Sequence, residues 1–137
     1  MKIKYMLPAL TAFALCLYAC KKDSAALING KWNVVSDQSF EGVGSSNHQV
    51  DYTGQEGDYF DFRTNGRLYI NEGQEQDTLT FKAISHSQLV LFYPQPNANS
   101  VPDTCKLLNF TSRSVTIQTP HLITPGGQIG RTIQLSR

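Results

Sequence analysis

Histidine is the residue type that most often binds metal or transfers protons, and this chain contains three. His48 and His121 fall in segments predicted to be loops, and His86 falls in a predicted tight turn. A zinc site built from His48, His121 and one carboxylate is conceivable, and solvated loop histidines are the alternative. Because the spacing shows no ligand pair, we predict no metal and no cofactor. Asp51, Glu56 and Asp58 lie near His48 in sequence and are the candidate carboxylates.

Other motifs that could support catalysis are weak in this sequence. The glycine-rich segment Gly42–Ser46 follows a predicted strand but opens no helix, so it lacks the context of a phosphate-binding loop. Cys105 falls inside a predicted strand, where a cysteine usually packs as a small hydrophobic residue. The acidic segment 71–77 (NEGQEQD) lacks the ligand spacing of a calcium loop and is more typical of a solvated turn. We therefore predict that the protein is not an enzyme.

The N-terminal segment has the layout of a secretion signal. Lys2 and Lys4 provide its positive end, and residues 6–18 form an apolar run. This run is too short to span a bilayer as a helix, which takes about 20 residues. The alternative interpretation is a buried helix that happens to contain Cys16 and Cys20. The order of positive charge, apolar run, small residue and cysteine favours the signal.

The apolar run ends in Leu17–Cys20 (LYAC), which resembles the lipobox of bacterial lipoproteins. The resemblance implies cleavage before Cys20 and attachment of acyl chains such as palmitate to that cysteine. It also implies anchoring in the bacterial cell envelope, at the outer membrane. We therefore assign residues 1–19 to a lipoprotein signal peptide, 20–29 to a lipidated tether with a short helical turn, and 30–137 to one folded domain.

The charge balance and the cysteines restrict the partners of the mature chain. Cleavage would remove Lys2 and Lys4 from the 12 basic residues, which then nearly balance the 11 acidic ones. A near-neutral chain argues against nucleic acid as a partner. Cys16 would leave with the signal and Cys20 would carry lipid, so Cys105 has no intrachain disulfide partner. We expect a monomer that is held to the membrane by its lipid and stabilised by its core.

The remainder of the sequence has the pattern of an all-β protein. Short runs of β-branched and aromatic residues alternate with Gly, Pro, Asn and Ser. Several runs have one apolar face, as where Phe60 and Phe62 flank Asp61. We predict an eight-stranded antiparallel up-and-down barrel, with an open sandwich as the alternative. The predicted strands span residues 31–39, 57–63, 67–72, 77–84, 88–93, 103–110, 114–119 and 129–136.

The connections between the predicted strands alternate in length. Short connections, such as the Asn65–Gly66 turn, follow the second, fourth and sixth strands. Longer connections follow the first, third, fifth and seventh, and the first of them covers residues 40–56. Successive connections of a meander lie at opposite ends, so the longer ones share one end. We call that end the mouth and the opposite end the base.

The motif Gly30-Lys31-Trp32, at the start of the first predicted strand, resembles the opening motif of the lipocalin family. In that family the tryptophan closes the base of the barrel and a late arginine packs over it. The resemblance implies Arg137 as the first candidate for this arginine and Arg131 as the second. Together with the lipobox, the motif makes the chain similar to the lipocalin-like domain lipoproteins of Gram-negative bacteria.

Aromatic and apolar residues are unusually frequent near the predicted mouth. Such loop residues either form a lid or contact surface, or fold inward to close the barrel. The interior of an eight-stranded barrel either holds one small ligand or is filled by its own side chains. We predict a small hydrophobic ligand at the mouth, and the alternative is a protein- or glycan-interaction module with a packed interior. The predicted ligand or partner residues are Phe40, Val43, Tyr52, Tyr59, Tyr93, Leu122 and Ile123.

Overall fold

A computed structural model of the protein describes residues 28–94 and 101–137. Eight antiparallel strands close into a barrel, which confirms the predicted fold and excludes the open sandwich. The predicted signal peptide, Cys20 and the N-terminal helical turn lie outside the described residues, apart from Ile28 and Asn29. The elements are β1 (Gly30–Glu41), a 3-10 helix (Gly44–Ser46), β2 (His48–Thr53), β3 (Tyr59–Phe62), β4 (Arg67–Glu72), β5 (Glu75–Ser85), β6 (Gln88–Tyr93), β7 (Val101–Leu108), β8 (Ser114–Gln118), β9 (Leu122–Thr124), β10 (Gly127–Ile129) and β11 (Arg131–Ser136).

Strand β1 pairs along both of its edges, and this pairing closes the barrel. One edge pairs with β11, and the other pairs first with β3 and then with β2. Strands β2 and β3 therefore lie one after the other along the same edge of β1. The prediction of one long loop over residues 40–56 was wrong, because β1 continues to Glu41 and β2 pairs beside it. The barrel itself consists of β1, β3 to β8 and β11.

A β-bulge in β1 lies between Val34 and Ser36. Gly54 packs against this bulge, and its N–H donates to the carbonyl of Val35 at 3.0 Å. A Cβ atom at Gly54 would lie 2.0 Å from the carbonyl oxygen of Val34, so only glycine fits there. The extra residue reverses the alternation of the strand: Val34 is buried before the bulge and Asp37 after it.

The connections at the mouth are shorter than predicted at one position. Glu72 and Glu75 pair directly, so β4 and β5 are joined by a two-residue turn at Gly73 and Gln74 rather than by an intermediate loop. Longer connections remain after β1, β6 and β8, and the last of these contains the small β9–β10 hairpin. Among residues 28–94 and 101–137 the structure contains no helix with the length and apolar character that crossing a bilayer requires.

The base and the middle of the barrel are filled by apolar side chains. The rings of Phe62 and Phe81 meet edge to face, with their centroids 5.0 Å apart. Cys105 is fully buried in this core, and burial, followed by the charge of Asp103, raises the pKa of its thiol to about 12. It therefore packs as a small hydrophobic residue. The buried apolar residues are Ile28, Trp32, Val34, Phe60, Phe62, Leu68, Ile70, Leu79, Phe81, Leu89, Leu91, Cys105, Leu107, Val115, Ile117, Ile133 and Leu135.

Trp32 lies at the base and is fully buried. Its Nε1 donates to the carbonyl of Ile28 at 2.7 Å. The guanidinium of Arg137 lies over the indole, with its Cζ 4.0 Å from the ring centroid. The same guanidinium donates to the carbonyls of Asn29 at 3.0 Å and Ser112 at 2.8 Å. Arg137 thus covers the tryptophan and joins the two ends of the barrel chain at the base.

The glycine of the Gly-x-Trp motif has two physical reasons to be a glycine. Gly30 has φ +114°, a conformation that residues with a Cβ atom rarely adopt. A Cβ atom at Gly30 would also lie 3.2 Å from Nη1 of Arg137. The spacing Gly30-Lys31-Trp32 therefore places a residue without a side chain next to the guanidinium that covers the indole.

Arg137→Ala should lower the free energy of unfolding by about 1–3 kcal/mol, because it removes the contact with the indole and two hydrogen bonds to carbonyl groups. Denaturant unfolding followed by the fluorescence of Trp32 measures this loss, and the native emission should shift to the red as water reaches the indole. Arg113→Ala is the matched control, since Arg113 is an exposed residue of the neighbouring β7–β8 turn. Equal stabilities of the two variants would contradict the assigned role of Arg137.

Candidate functional site

The layer of inward residues nearest the mouth is polar, in contrast to the core below it. In β4 to β8 and β11, each of these residues is two positions beyond a buried residue of its strand and therefore points to the same inward face. In β1, the bulge turns Asp37 inward. Carboxylates outnumber the one guanidinium, so the layer carries excess negative charge. This inward polar layer consists of Asp37, Glu72, Asp77, Tyr93, Asp103, Thr119 and Arg131.

Arg131 joins three strands within the inward polar layer. Its guanidinium forms ion pairs with both Asp37 on β1 and Glu72 on β4. Its Cζ also lies 5.8 Å from the ring centroid of Phe60. Arg131 was the second candidate for packing over Trp32, and that placement was wrong. It begins β11 at the mouth, whereas the strand ends beside the tryptophan at the base.

The two carboxylates that bind Arg131 are incompletely satisfied. The side chains of Asp37 and Glu72 are 7% and 13% exposed, and one oxygen of each, Oδ1 and Oε1, is buried without a hydrogen-bond partner. Burial raises the pKa of Glu72 to about 7, against the attraction of Arg131 and with the repulsion of Asp37. A proton on Glu72 that is donated to Asp37 satisfies both oxygens. Without that proton, one guanidinium faces two buried carboxylates.

Asp58 fixes the junction between β2 and β3. It accepts hydrogen bonds from the hydroxyl of Tyr52 at 2.5 Å, the N–H of Gln55 at 2.7 Å and the N–H of Gly73 at 3.0 Å. The bond from Tyr52 is the main reason that the pKa of Asp58 is lowered, and the same bond raises the pKa of Tyr52 to about 12. Asp58 therefore ties this junction to the β4–β5 turn.

The histidines are not gathered into a site. His48 places its Nδ1 2.8 Å from the carbonyl oxygen of Ser46. His121 stacks on Phe40 with ring centroids 5.3 Å apart, and its Nε2 lies 3.2 Å from Oε1 of Gln128. In the described part of the chain, no group of three or more His, Cys, Asp or Glu side chains is placed to hold a metal ion. The conceivable zinc site is therefore not formed by these residues.

Two adjoining pockets open at the mouth, and Ser39 and Arg131 line both. The hairpin pocket has a volume of about 360 Å³ and lies beside the β9–β10 hairpin. The acidic pocket has a volume of about 500 Å³ and lies beside β2 and the β4–β5 turn. The apolar and aromatic lining of the hairpin pocket is Phe40, Tyr93, Pro120, Leu122 and Ile129. The carboxylates that line the acidic pocket are Asp37, Glu41, Glu72 and Glu75.

Asn47 fixes the β9–β10 hairpin to the first loop of the mouth. Its Oδ1 accepts the N–H of Gln128 at 2.8 Å, and its Nδ2 donates to the carbonyl of Gln128 at 3.1 Å. The N–H of Gly44 adds a hydrogen bond to the carbonyl of Gly126 at 2.6 Å. The two loops therefore form one rim. The role of Asn47 was not predicted, because no residue near it in the sequence indicates a hydrogen-bond partner 81 positions away.

The structure brings four of the predicted mouth residues to the pockets. Phe40, Tyr93 and Leu122 line the hairpin pocket, and Tyr52 lines the acidic pocket. These residues come from β1, β6, β9 and β2, so they meet only because the barrel is closed. Their convergence makes the mouth the candidate functional site.

The other predicted mouth residues lie outside the two pockets. Val43 and Ile123 are 75% and 82% exposed on the rim. Tyr59 was wrongly placed at the mouth: it lies on the outer face of β3, where the Nζ of Lys31 is 3.9 Å from its ring centroid. Phe60, the next residue, points inward, and this alternation sends Tyr59 outward.

A further groove of about 230 Å³ lies on the outer surface near the mouth. Its lining includes the side-chain amides of three strands and the stacked pair of Phe40 and His121. Amide groups beside an aromatic ring offer both hydrogen bonds and an apolar surface. The glutamines of this groove are Gln38, Gln49 and Gln118.

The mouth thus combines an apolar wall, a rim fixed by hydrogen bonds and an acidic floor. A concave apolar surface with a few converging polar groups is the usual form of a small-molecule site. Comparison of the chain with protein-family models, curated proteins and solved structures found no match. The function therefore has to be inferred from the mouth itself.

Glu72→Gln should reduce the pH dependence of stability. The folded-state pKa of Glu72, about 7, exceeds its ordinary value of 4.5, so the native state holds the proton more tightly than the unfolded state does. The contribution of Glu72 to the free energy of unfolding should therefore fall as the pH rises from 4.5 to about 7. The amide has no proton to lose, and it should abolish this component.

Denaturant unfolding of both proteins at several pH values across that range measures the effect. Glu56→Gln is the control, because Glu56 is exposed in the segment between β2 and β3, and it should keep the wild-type slope. A Glu72→Gln protein with an unchanged slope would rule out Glu72 as the responsible group.

Proposed function

We propose that this protein is a lipid-anchored binding protein of the bacterial cell envelope, whose barrel mouth holds a small ligand with an apolar part and performs no catalysis. One observation carries the proposal: apolar and aromatic residues of four strands, β1, β6, β9 and β10, converge on the hairpin pocket. The pocket volume of about 360 Å³ is in the range of small-molecule sites. Because the barrel below is filled by its own side chains, the ligand lies at the mouth and not in the interior.

The hairpin pocket offers apolar surface that a ligand would remove from water. Leu122 and Ile129 pair across the hairpin and are 54% and 57% exposed, and Tyr93 lies against the core beneath the mouth. Covering such surface contributes about 25 cal/mol per Å². The hydrogen bonds of Asn47 hold the hairpin in place before binding, which lowers the cost of ordering it.

The proposed anchor rests on the resemblance of Leu17–Cys20 to a lipobox. The position of Ile28 supports the anchor, because this residue follows Cys20 by eight positions and its carbonyl accepts the hydrogen bond from Nε1 of Trp32 at the base. A lipid on Cys20 would hold the base towards the membrane, here proposed to be the outer membrane, and turn the mouth away from it. A monomer is sufficient for this arrangement.

A second candidate function is an interaction module for a protein or glycan. The outer groove supports it, because three glutamine amides and the stacked pair of Phe40 and His121 surround a space of about 230 Å³. The exposed side chains of Val43 and Ile123 on the rim also fit a contact surface. In this function the partner would cover the rim and the outer face, and the hairpin pocket would stay empty.

The neighbouring residues Leu122 and Ile123 separate the two functions. Leu122 lines the hairpin pocket, whereas Ile123 alternates to the other side of β9 and is 82% exposed. Leu122→Asp should weaken binding of a neutral hydrophobe such as 1-hexanol at least tenfold, about 1.4 kcal/mol, and Ile123→Asp should leave it unchanged. NMR chemical-shift titration of the mouth residues measures both variants.

The interaction module predicts a different result. Wild-type protein would then show no shifts at the mouth with hydrophobes, and both aspartate variants would lose partner capture from envelope extracts while remaining folded. That combination would refute the small-ligand function.

Cys20→Ser should release the protein from the membrane, since serine cannot carry the lipid that the proposed anchor requires. Fractionation of cells and detergent partitioning measure this, with Cys105→Ser as the control because Cys105 is buried in the core. Membrane association of the Cys20→Ser protein equal to that of wild type would refute anchoring through Cys20.

A further inference from the structure

The acidic pocket has a charge that the protein itself does not balance. Its lining contains four carboxylates, and Arg131 is the one basic residue of that lining. The inward polar layer adds Asp77 and Asp103, and Asp103 also lines the hairpin pocket. A site of this composition repels anions and attracts cations, because the low-dielectric walls of a cleft concentrate the field of its charges.

The strongest sign that this pocket has an outside partner is Asp37. Its side chain is 7% exposed and lines the pocket, and its Oδ1 has no hydrogen-bond partner in the structure. Oε1 of Glu72 is unsatisfied in the same way. Leaving a buried acceptor without a donor is costly, and for a charged group the cost is higher. A proton shared between Glu72 and Asp37 can satisfy both oxygens, but once Glu72 is ionised both require a donor that the described residues do not supply.

We infer that the ligand of the mouth carries a primary ammonium or guanidinium group, which binds the carboxylates of Asp37 and Glu72 while its apolar part lies in the hairpin pocket. This inference rests on the proposed small-ligand function and names the chemical class of the ligand. Ammonium and guanidinium groups have several N–H donors and no acceptor, and this matches two unsatisfied carboxylate oxygens. Ser39 and Arg131 line both pockets, so the pockets adjoin and one molecule can reach from one to the other.

An organic cation fits the site better than a metal ion does. In the ranges 28–94 and 101–137, no three His, Cys, Asp or Glu side chains are arranged to surround a metal. An alkylammonium or alkylguanidinium also uses the apolar wall of Tyr93, Leu122 and Ile129, which a bare ion would leave exposed. The ligand is thus an amphipathic amine or guanidine whose apolar part is small enough for a pocket of about 360 Å³.

The bound cation takes the place of a proton. With a proton on Glu72, its hydroxyl satisfies Asp37 and the pocket needs no further donor. Binding of the cation therefore displaces that proton to solvent, and affinity rises as Glu72 ionises. The titratable groups that face Glu72 are Asp37 on β1, Arg131 on β11, Glu75 directly opposite on β5, and Tyr52 and Asp58 at the β2–β3 segment.

Three probes with the same six-carbon chain test the inference on the full chain: hexylammonium, 1-hexanol and hexanoate. NMR titration of the mouth residues should give an affinity at least tenfold higher for hexylammonium than for 1-hexanol, and the weakest binding for hexanoate. The affinity for hexylammonium should rise about tenfold from about pH 6 to about pH 8, a range over which the alkylammonium itself stays charged.

Glu72→Gln should bring the affinity ratio of hexylammonium to 1-hexanol towards one and remove its pH dependence, whereas Glu56→Gln should keep both. Equal affinities of wild-type protein for hexylammonium and 1-hexanol would overturn the cationic ligand and leave the small-ligand function standing. Absence of mouth shifts with all three probes would instead overturn the small-ligand function. The wild-type comparison decides between these outcomes even if the Glu72→Gln protein does not fold.

Discussion

The architecture depends on β1 being paired along both edges. One edge meets β11 and the other meets β3 and β2 in succession, so this strand closes the sheet into a barrel. The bulge between Val34 and Ser36 divides β1 into two parts with opposite alternation. The lower part turns Trp32 into the apolar core, and the upper part turns Asp37 into the mouth. One extra residue therefore adds Asp37 to the charged layer that the other strands form by their regular alternation.

The two ends of the barrel use arginine for different purposes. At the base, Arg137 lies over an indole and donates to the carbonyl groups of Asn29 and Ser112. At the mouth, Arg131 binds two carboxylates that it cannot neutralise by itself. Buried ion pairs of this kind rarely stabilise a fold more than packed apolar residues would, because removing charges from water is costly. The base thus contributes stability, whereas the mouth keeps charged groups at a cost in stability, as is common at sites of function.

The number of barrel strands and the alternation within them could be predicted, since they follow from the short-range pattern of the sequence. The position of Arg137 over Trp32 was predicted from the resemblance to the lipocalin family. The sequence was insufficient for Asp37, because simple alternation from Trp32 and Val34 sends Asp37 outward and nothing local indicates the bulge that reverses it. The inward position of Arg131 could have been found, since Ile133 and Leu135 share its face. Strand β2 was missed because its segment between Gly44 and Gly54 has the composition of a loop, and only pairing with β1 makes it a strand.

The seam between β1 and β11 also has a consequence for the order of folding. Arg137 bonds to Asn29 across 108 positions, so the contacts that close the barrel have a large sequence separation. Contacts of this kind form late, because the entropy of a long loop must be overcome before they are made. A chain that is synthesised from its N-terminus exposes an unpaired edge of β1 and an uncovered indole until β11 and Arg137 have emerged. Trp32 can therefore become fully covered only after the whole domain has been synthesised.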